Sequence, residues 1–414
     1  MYDIAVIGGG AAGMLAAGVA ADRGARVLLL EKNDRLGRKL LLTGKGRCNI
    51  TNDSPVAEVL DNIPSGSRFL HSVMNGFTPR DAMAFFESLG VPLKTERGGR
   101  VFPKSDRASD IAGALMANLE KAGASVKRCA VTAVVAQGGE STSVLYDGGA
   151  IECRAAILAT GGVSYSSTGS TGDGYAIAAA LGHTITPLRG SLVPLEASPE
   201  MCSRMQGLTL KNVRLYVYDG GKKPVFEGFG ELLFTHFGIS GPLTLSASAH
   251  MRDFDNKRYH VIVDLKPALS EEKLDQRVLR DFSKYSNRVF SNALGDLLSR
   301  MMVPVVVEKS GIMPGVKVHS VTREERLSLV RLIKAFRIDI SGPANIDEAI
   351  ITSGGVDLRE IDPRTMESKL VRGLFFAGEI IDADAYTGGY NLQIAWSTAY
   401  AAAKAASQAA AGCR

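Results

Sequence analysis

Cysteine is scarce and unpaired in this 414-residue chain. The five cysteines, Cys48, Cys129, Cys153, Cys202 and Cys413, are odd in number and include no Cys-x-x-Cys pair. A disulfide framework, a zinc site and a dithiol centre are therefore poorly supported. Long apolar runs are also missing. The stretch Ile4–Ala21 is broken by Gly8, Gly9, Gly10 and Gly13, so it reads as neither signal peptide nor membrane span. With the first strand starting by Tyr2, no charged leader fits before it, and a cytoplasmic location is expected. Nor does one sign of charge dominate: the formal charge is +5, which permits a polyanionic partner without demanding one. No internal repeat is visible, and the one biased segment is the Ala-rich C-terminus. What the chain does have is glycine. Its 45 glycines gather in short motifs, as in folds that bring backbone close to a ligand. At this length two or three domains are expected.

The run Tyr2-Asp3-Ile4-Ala5-Val6-Ile7 is apolar and β-branched, as a buried parallel strand should be. It enters Gly8-Gly9-Gly10-Ala11-Ala12-Gly13, and a helix of small residues follows to about Arg23. Arg26–Leu30 then forms a second strand ending at Glu31. Gly8, Gly10 and Gly13 fit Gly-x-Gly-x-x-Gly: the first turns the chain, the second lets pyrophosphate touch backbone, the third lets helix pack on strand. The helix N-terminus offers N–H groups and positive dipole to phosphates. Glu31 lies 18 residues past Gly13, where a carboxylate can accept ribose hydroxyls. This unit alone serves FAD and NAD equally.

Three later segments point to FAD. After Glu31 comes a basic loop, Lys32–Lys39, and then Thr43-Gly44-Lys45-Gly46-Arg47-Cys48-Asn49-Ile50-Thr51-Asn52, where an NAD domain would start another strand–helix unit. Ala155–Gly162 reads as a strand ending in a glycine turn. Gly373–Glu379 is a further strand ending in glycine and acid, followed by Asp382 and by Gly388-Gly389-Tyr390-Asn391-Leu392-Gln393, which opens a helix over about Ile394–Ala411. A second helix N-terminus can face a flavin where negative charge develops on reduction.

On the motifs Gly8–Gly13, Gly44–Asn52, Phe234-Thr235-His236-Phe237-Gly238-Ile239-Ser240-Gly241-Pro242 and Gly388–Gln393, the chain resembles the BaiN-like NAD(P)/FAD-dependent oxidoreductases over nearly its whole length. These are also labelled aminoacetone-oxidase-family FAD-binding enzymes. The resemblance implies non-covalent FAD and an α/β fold: a glutathione-reductase-like Rossmann FAD-binding domain with an inserted β-domain that carries a nested small helical module. The expected boundaries are 1–190 for the first part of the FAD domain, 191–268 for the β-domain, 269–336 for the helical module, 337–355 for the β-domain's return and 356–414 for the rest of the FAD domain. Short β-branched runs after Ser191 and helical spacing of Leu274, Val278 and Phe282 after Ser270 agree with this division.

Motifs and resemblance together suggest a cofactor-binding set of Gly8, Gly10, Ala12, Gly13, Glu31, Lys32, Arg38, Lys39, Gly46, Arg47, Cys48, Asn49, Val131, Thr160, Gly161, Gly162, Gly378, Glu379, Asp382, Gly389, Tyr390 and Asn391, with no metal. No second complete Gly-x-Gly-x-x-Gly occurs, and Gly169-Ser170-Thr171-Gly172-Asp173-Gly174 has the wrong context for one. NAD(P)H is accordingly expected as a transient donor. The resemblance further implies reduction of a conjugated carbon–carbon double bond, in enone-type steroids or, in another branch, in uridine of large-subunit ribosomal RNA. Hydride goes to the β-carbon and a proton to the α-carbon. Cys48, tuned by Lys45 and Arg47, and His236 are the candidate acids, with Tyr165, Tyr386 and Tyr390 as further possibilities. Packing beside the cofactor is the competing role for each.

Cations off the FAD motifs, among them Lys94, Arg97, Arg100, Lys104, Arg107, Arg277, Arg280, Lys284 and Arg288, suit RNA phosphates. A solvated face balanced by Glu271, Glu272, Asp275 and Asp281 is the bland alternative. A small-molecule ene-reductase or amine oxidase, and a flavin-containing redox sensor without turnover, are the other functional readings.

Overall fold

A computed structural model of the chain describes residues 1–137 and 141–412; Cys413 lies outside them. The residues form two compact units, Met1–Ser191 with Ile346–Arg414, and Leu192–Asn345.

In the first unit β1 (Tyr2–Ile7) and β2 (Val27–Glu31) run parallel, from Ile4 opposite Val27 to Ile7 opposite Leu30. Both are apolar and almost wholly buried, as strands covered on both faces must be. On the other side of β1 lies the parallel strand Gly149–Leu158. Its first half pairs antiparallel with Ser141–Tyr146, and its second half pairs parallel with Leu374–Phe376. The C-terminal segment thereby completes the sheet that the N-terminus began. Ser125–Arg128 forms the edge beside β2, giving a seven-stranded sheet.

Helix α1 (Ala11–Asp22) is buried on nearly every side, because Ala and Gly let neighbouring backbones approach. A Cβ added at Gly18 would stand 2.4 Å from Asn118 Nδ2 on the helix Ala108–Lys121. The Ala-rich C-terminal helix Tyr390–Gly412 packs along α1. A small sheet of Thr51–Asn52, Arg100–Pro103 and Leu93–Glu96 completes the unit.

The second unit is a closed barrel in the order Leu195–Ala197, Gly238–Ser240, Phe226–Phe234, Thr209–Tyr218, His260–Asp264 and Phe336–Pro343. Between the last two strands run the helices Glu271–Lys284, Val303–Ser310 and Arg323–Lys334. The last starts with a capping box in which Thr322 and Glu325 satisfy each other's backbone N–H groups. The chain re-enters the first unit at Ile346 rather than at 356. The reason is that Ile351–Ser353 pairs antiparallel with Arg189–Ser191 instead of extending the barrel.

Candidate cofactor site

A cleft opens at the C-terminal ends of the parallel strands, where ligands of open α/β sheets bind. Gly8, Gly10, Ala12, Glu31, Lys32, Arg38, Lys39, Val131, Thr160, Gly161, Gly378, Glu379 and Asn391 of the expected set line it. The glycines divide the work. A Cβ at Gly13 would lie 1.8 Å from the Gly8 carbonyl oxygen, so this glycine permits helix–strand packing. A Cβ at Gly10 would meet nothing within 4 Å; its face is turned to open cleft. Helix α1 has no capping side chain and no acid in its first turn, so its leading N–H groups remain available to an anion. The C-terminal helix also lacks a first-turn acid and brings Asn391 and Leu392 to the same cleft.

Glu31 is buried, and both its oxygens accept hydrogen bonds: Oε2 from Gly9 N at 2.6 Å, Oε1 from Asn33 N at 2.8 Å and Asn33 Nδ2 at 2.6 Å. The carboxylate is thus fixed in place, while Oε2 keeps a second lone pair. Asn33 Nδ2 also donates to the Thr168 carbonyl at 3.2 Å, and Lys32 pairs with Asp173 and Thr171. The glycine-rich stretch Gly169–Asp173 therefore lines this cleft together with Gly8–Ala12.

At Glu379 four segments meet. Its carboxylate accepts from Lys39 Nζ at 2.7 Å, from Thr352 N at 2.8 Å and from Ser164 Oγ at 3.1 Å, and Lys39 also reaches Ser164 Oγ at 2.7 Å. Asn33, Ser164, Thr168, Asp173 and Thr352 are absent from the expected set. They become visible only when distant segments come together. The cleft suits a dinucleotide: a glycine open to it, two helix N-termini without acids, and a buried Thr160 Oγ1 on its wall with no hydrogen-bond partner.

The remaining expected residues lie off the cleft wall. Gly46 is exposed, while Arg47 is bound to Glu96 and Asp106, with its guanidinium 4.1 Å from the centre of the Phe102 ring. Cys48 is fully buried, and burial pushes its thiol up to about 12, the opposite of the tuning expected from Lys45 and Arg47. Asn49 Oδ1 is buried without a partner. Gly162 lies against Thr352, and Gly389 against the Thr51 carbonyl. Tyr390 is buried and Asp382 half-buried. His236 stands exposed in the barrel unit, edge-on to Phe237. Tyr165 holds a left-handed backbone, φ +54°, beneath Lys39.

The Gly44–Asn52 and Gly388–Gln393 motifs dock on each other. Gln393 is fully buried, accepting from Thr51 Oγ1 at 2.6 Å and donating to the Phe77 carbonyl at 2.9 Å, and Trp396 Nε1 donates to the Ile50 carbonyl at 2.8 Å. Among the described residues no group of three or more His, Cys, Asp or Glu side chains is placed to hold a metal, and no helix is long and apolar enough to cross a membrane.

Fold and cleft together define a Rossmann-type, FAD-dependent oxidoreductase. More narrowly, the chain belongs to the HI0933-like family: the model of the HI0933-like protein Rossmann domain matches residues 2–405. It is 30% identical over 413 residues to the 3-dehydro-bile acid delta(4,6)-reductase of Clostridium scindens, covering 99% of this chain and 100% of that one. It is equally 30% identical, over 407 residues and 97% of both chains, to the ribosomal RNA dihydrouridine synthase of Escherichia coli. Among solved structures, Mycobacterium smegmatis Sdh1 in complex with UQ1 matches 99% of this chain and 69% of its own, with TM-score 0.50 and 18% identity. That likeness bears on fold alone.

Proposed function

We propose that this enzyme draws electrons from NAD(P)H and saturates an activated carbon–carbon double bond, the substrate being uridine in large-subunit ribosomal RNA and the compartment the cytoplasm. The observation that carries the reading is the convergence of two acid-free helix N-termini and the open face of Gly10 on one cleft. Bound FAD would supply the two-electron chemistry. The chain's own residues do the holding: backbone N–H groups of α1 face the phosphates, Glu31 the ribose, and the Lys39–Glu379 pair steadies the segments around the cleft.

Both full-length relatives carry names that denote saturation of a carbon–carbon double bond, in a bile acid and in uridine. The cationic surplus of the chain favours the RNA. Nucleoside mass spectrometry of ribosomal RNA, with and without the gene, tests this directly. Loss of one dihydrouridine on deletion is the expected result. An unchanged nucleoside profile together with rapid turnover on a soluble enone would move the substrate to a small molecule. Anaerobic mixing with NADH and NADPH should bleach the flavin absorbance with at least one of them.

A further inference from the structure

The net charge of this chain is not spread evenly. Residues 192–345 carry 22 Lys and Arg against 17 Asp and Glu, whereas the other residues balance at 26 of each. The whole of the +5 therefore sits on the unit that lacks the dinucleotide cleft. Within it the helix Glu271–Lys284 aligns Lys273, Arg277, Arg280 and Lys284, at spacings of four, three and four residues. Such spacing puts them along one side of the helix, about 5–6 Å apart. Arg288 follows just past the helix end.

The buried face of this helix is made by Leu274, Val278, Asp281 and Phe282, so the cations lie beside it at the surface. Their pairing is selective. Arg277 is held by Asp281, and Lys284 by Asp296. Lys273, Arg280 and Arg288 are exposed and form no ion pair among the described residues. Of the helix's acids, Asp275 is bound to Arg326 and Asp281 to Arg277, while Glu271 and Glu272 stand in its first turn, at the end away from Arg280 and Arg288. At the end of the stripe Tyr285 donates its hydroxyl to Asp296 at 2.7 Å, and its ring lies 4.2 Å from the Arg288 guanidinium and 4.7 Å from Lys284 Nζ. A fixed aromatic ring beside the unpaired Arg288 can stack a base while the free cations meet phosphates.

The other basic group, near residues 94–107, has a different character. Lys94 is bound to Asp106, Arg100 lies near Glu96, and Arg107 near Asp110. Three of its five cations are thus engaged, while Arg97 and Lys104 stand exposed with no ion pair among the described residues.

We infer that the side of helix Glu271–Lys284 bearing Lys273, Arg280 and Lys284, with Tyr285 and Arg288 at its end, is the surface that grips the RNA substrate. This rests on the reading of RNA as substrate. Its test is fluorescence anisotropy of a labelled single-stranded segment of large-subunit ribosomal RNA with the FAD-loaded full chain, over a range of salt concentrations. The double variant Arg280→Glu with Arg288→Glu should weaken binding roughly tenfold or more, and the slope of log affinity against log salt should shallow by about 1.4, as for two lost phosphate contacts on a single strand. Arg97→Glu with Lys104→Glu, a matched reversal in the other unit, should leave affinity within about twofold. Flavin content and flavin bleaching by NAD(P)H should match wild type in both variants.

Unchanged RNA affinity in the Arg280/Arg288 variant, or an equal loss in the control, would overturn the assignment. Competition by polyglutamate as effective as that by unlabelled RNA would overturn it in favour of an acidic protein partner. If the gene proves necessary for the dihydrouridine yet the stripe variant binds RNA normally, only this surface is wrong. If the dihydrouridine does not depend on the gene and wild type binds no RNA, the substrate reading fails with it.

Discussion

Two glycines three residues apart in one motif, Gly10 and Gly13, have different duties. At Gly13 a methyl group would collide with the Gly8 carbonyl, so Gly13→Ala should force helix from strand and cost about 1–3 kcal/mol or more, read as a lower urea midpoint. At Gly10 a methyl group enters empty cleft. Gly10→Ala should keep the midpoint and lose FAD affinity, measured by quenching of flavin fluorescence; wild-type affinity would refute the assigned cradle. The motif's spacing was legible in the sequence, but the division between packing and binding was not, because it depends on what faces each Cα.

Cys48 shows the same limit. The adjacent Lys45 and Arg47 suggested an activated thiol, yet Arg47 turns to Glu96 and Asp106 and the sulfur is sealed in the core. Native protein should therefore resist alkylation at Cys48 at neutral pH, followed by peptide mass spectrometry, and react there only when unfolded.

His183 is a buried imidazole between Glu360, 3.1 Å from Nδ1, and Ser368, 2.9 Å from Nε2. Burial holds it below its ordinary 6.5, against the pull of Glu360. A folded-state value below the unfolded one means that its contribution to stability is present above 6.5 and fades as pH falls through the depressed value. Stability should drop as the pH falls below 6.5, and less steeply in His183→Gln, as followed by denaturant midpoints on either side of that pH.

Among the elements, β1, α1 and β2 were legible because their signals are local: an apolar run, a glycine turn, a small-residue helix and an acid. The docking of Gly44–Asn52 on Gly388–Gln393 was not. Its hydrogen bonds join residues more than three hundred positions apart, such as Thr51 and Gln393, and neither partner's pattern announces the other. Gln393→Leu should strand the Thr51 hydroxyl, while the Phe77 carbonyl keeps Ser397 Oγ at 2.7 Å, at a cost of about 1–3 kcal/mol, measured by denaturant unfolding. Glycine-rich Gly169–Gly174 teaches the converse. Its context argued against a second dinucleotide motif, and only the ties from Lys32 and Asn33 bring it to the first cleft.

For the molecule as a whole, the inserted unit leaves and re-enters the sheet-bearing unit beside one short antiparallel pair, Ser191 opposite Ile351. Joining Ser191 to Ile346 through a short Gly/Ser linker should therefore leave a chain that still folds and retains flavin. The flavin-to-protein absorbance ratio checks this, and a colourless product would show that the first unit cannot stand alone. RNA affinity should be lost with the excised residues.

The sequence by itself determined the nucleotide-binding crossover and the family resemblance, and its β-branched runs and helical spacing marked an inserted β-domain with helices, though not that it closes into a barrel. These rest on backbone demands and apolar periodicity that each segment carries within itself. Tertiary structure alone decided which glycine faces the cleft, that Cys48 is core, that Glu379 gathers Lys39, Ser164 and Thr352, and which cations stay unpaired. Those are properties of neighbours, and in this fold the neighbours come from opposite ends of the chain.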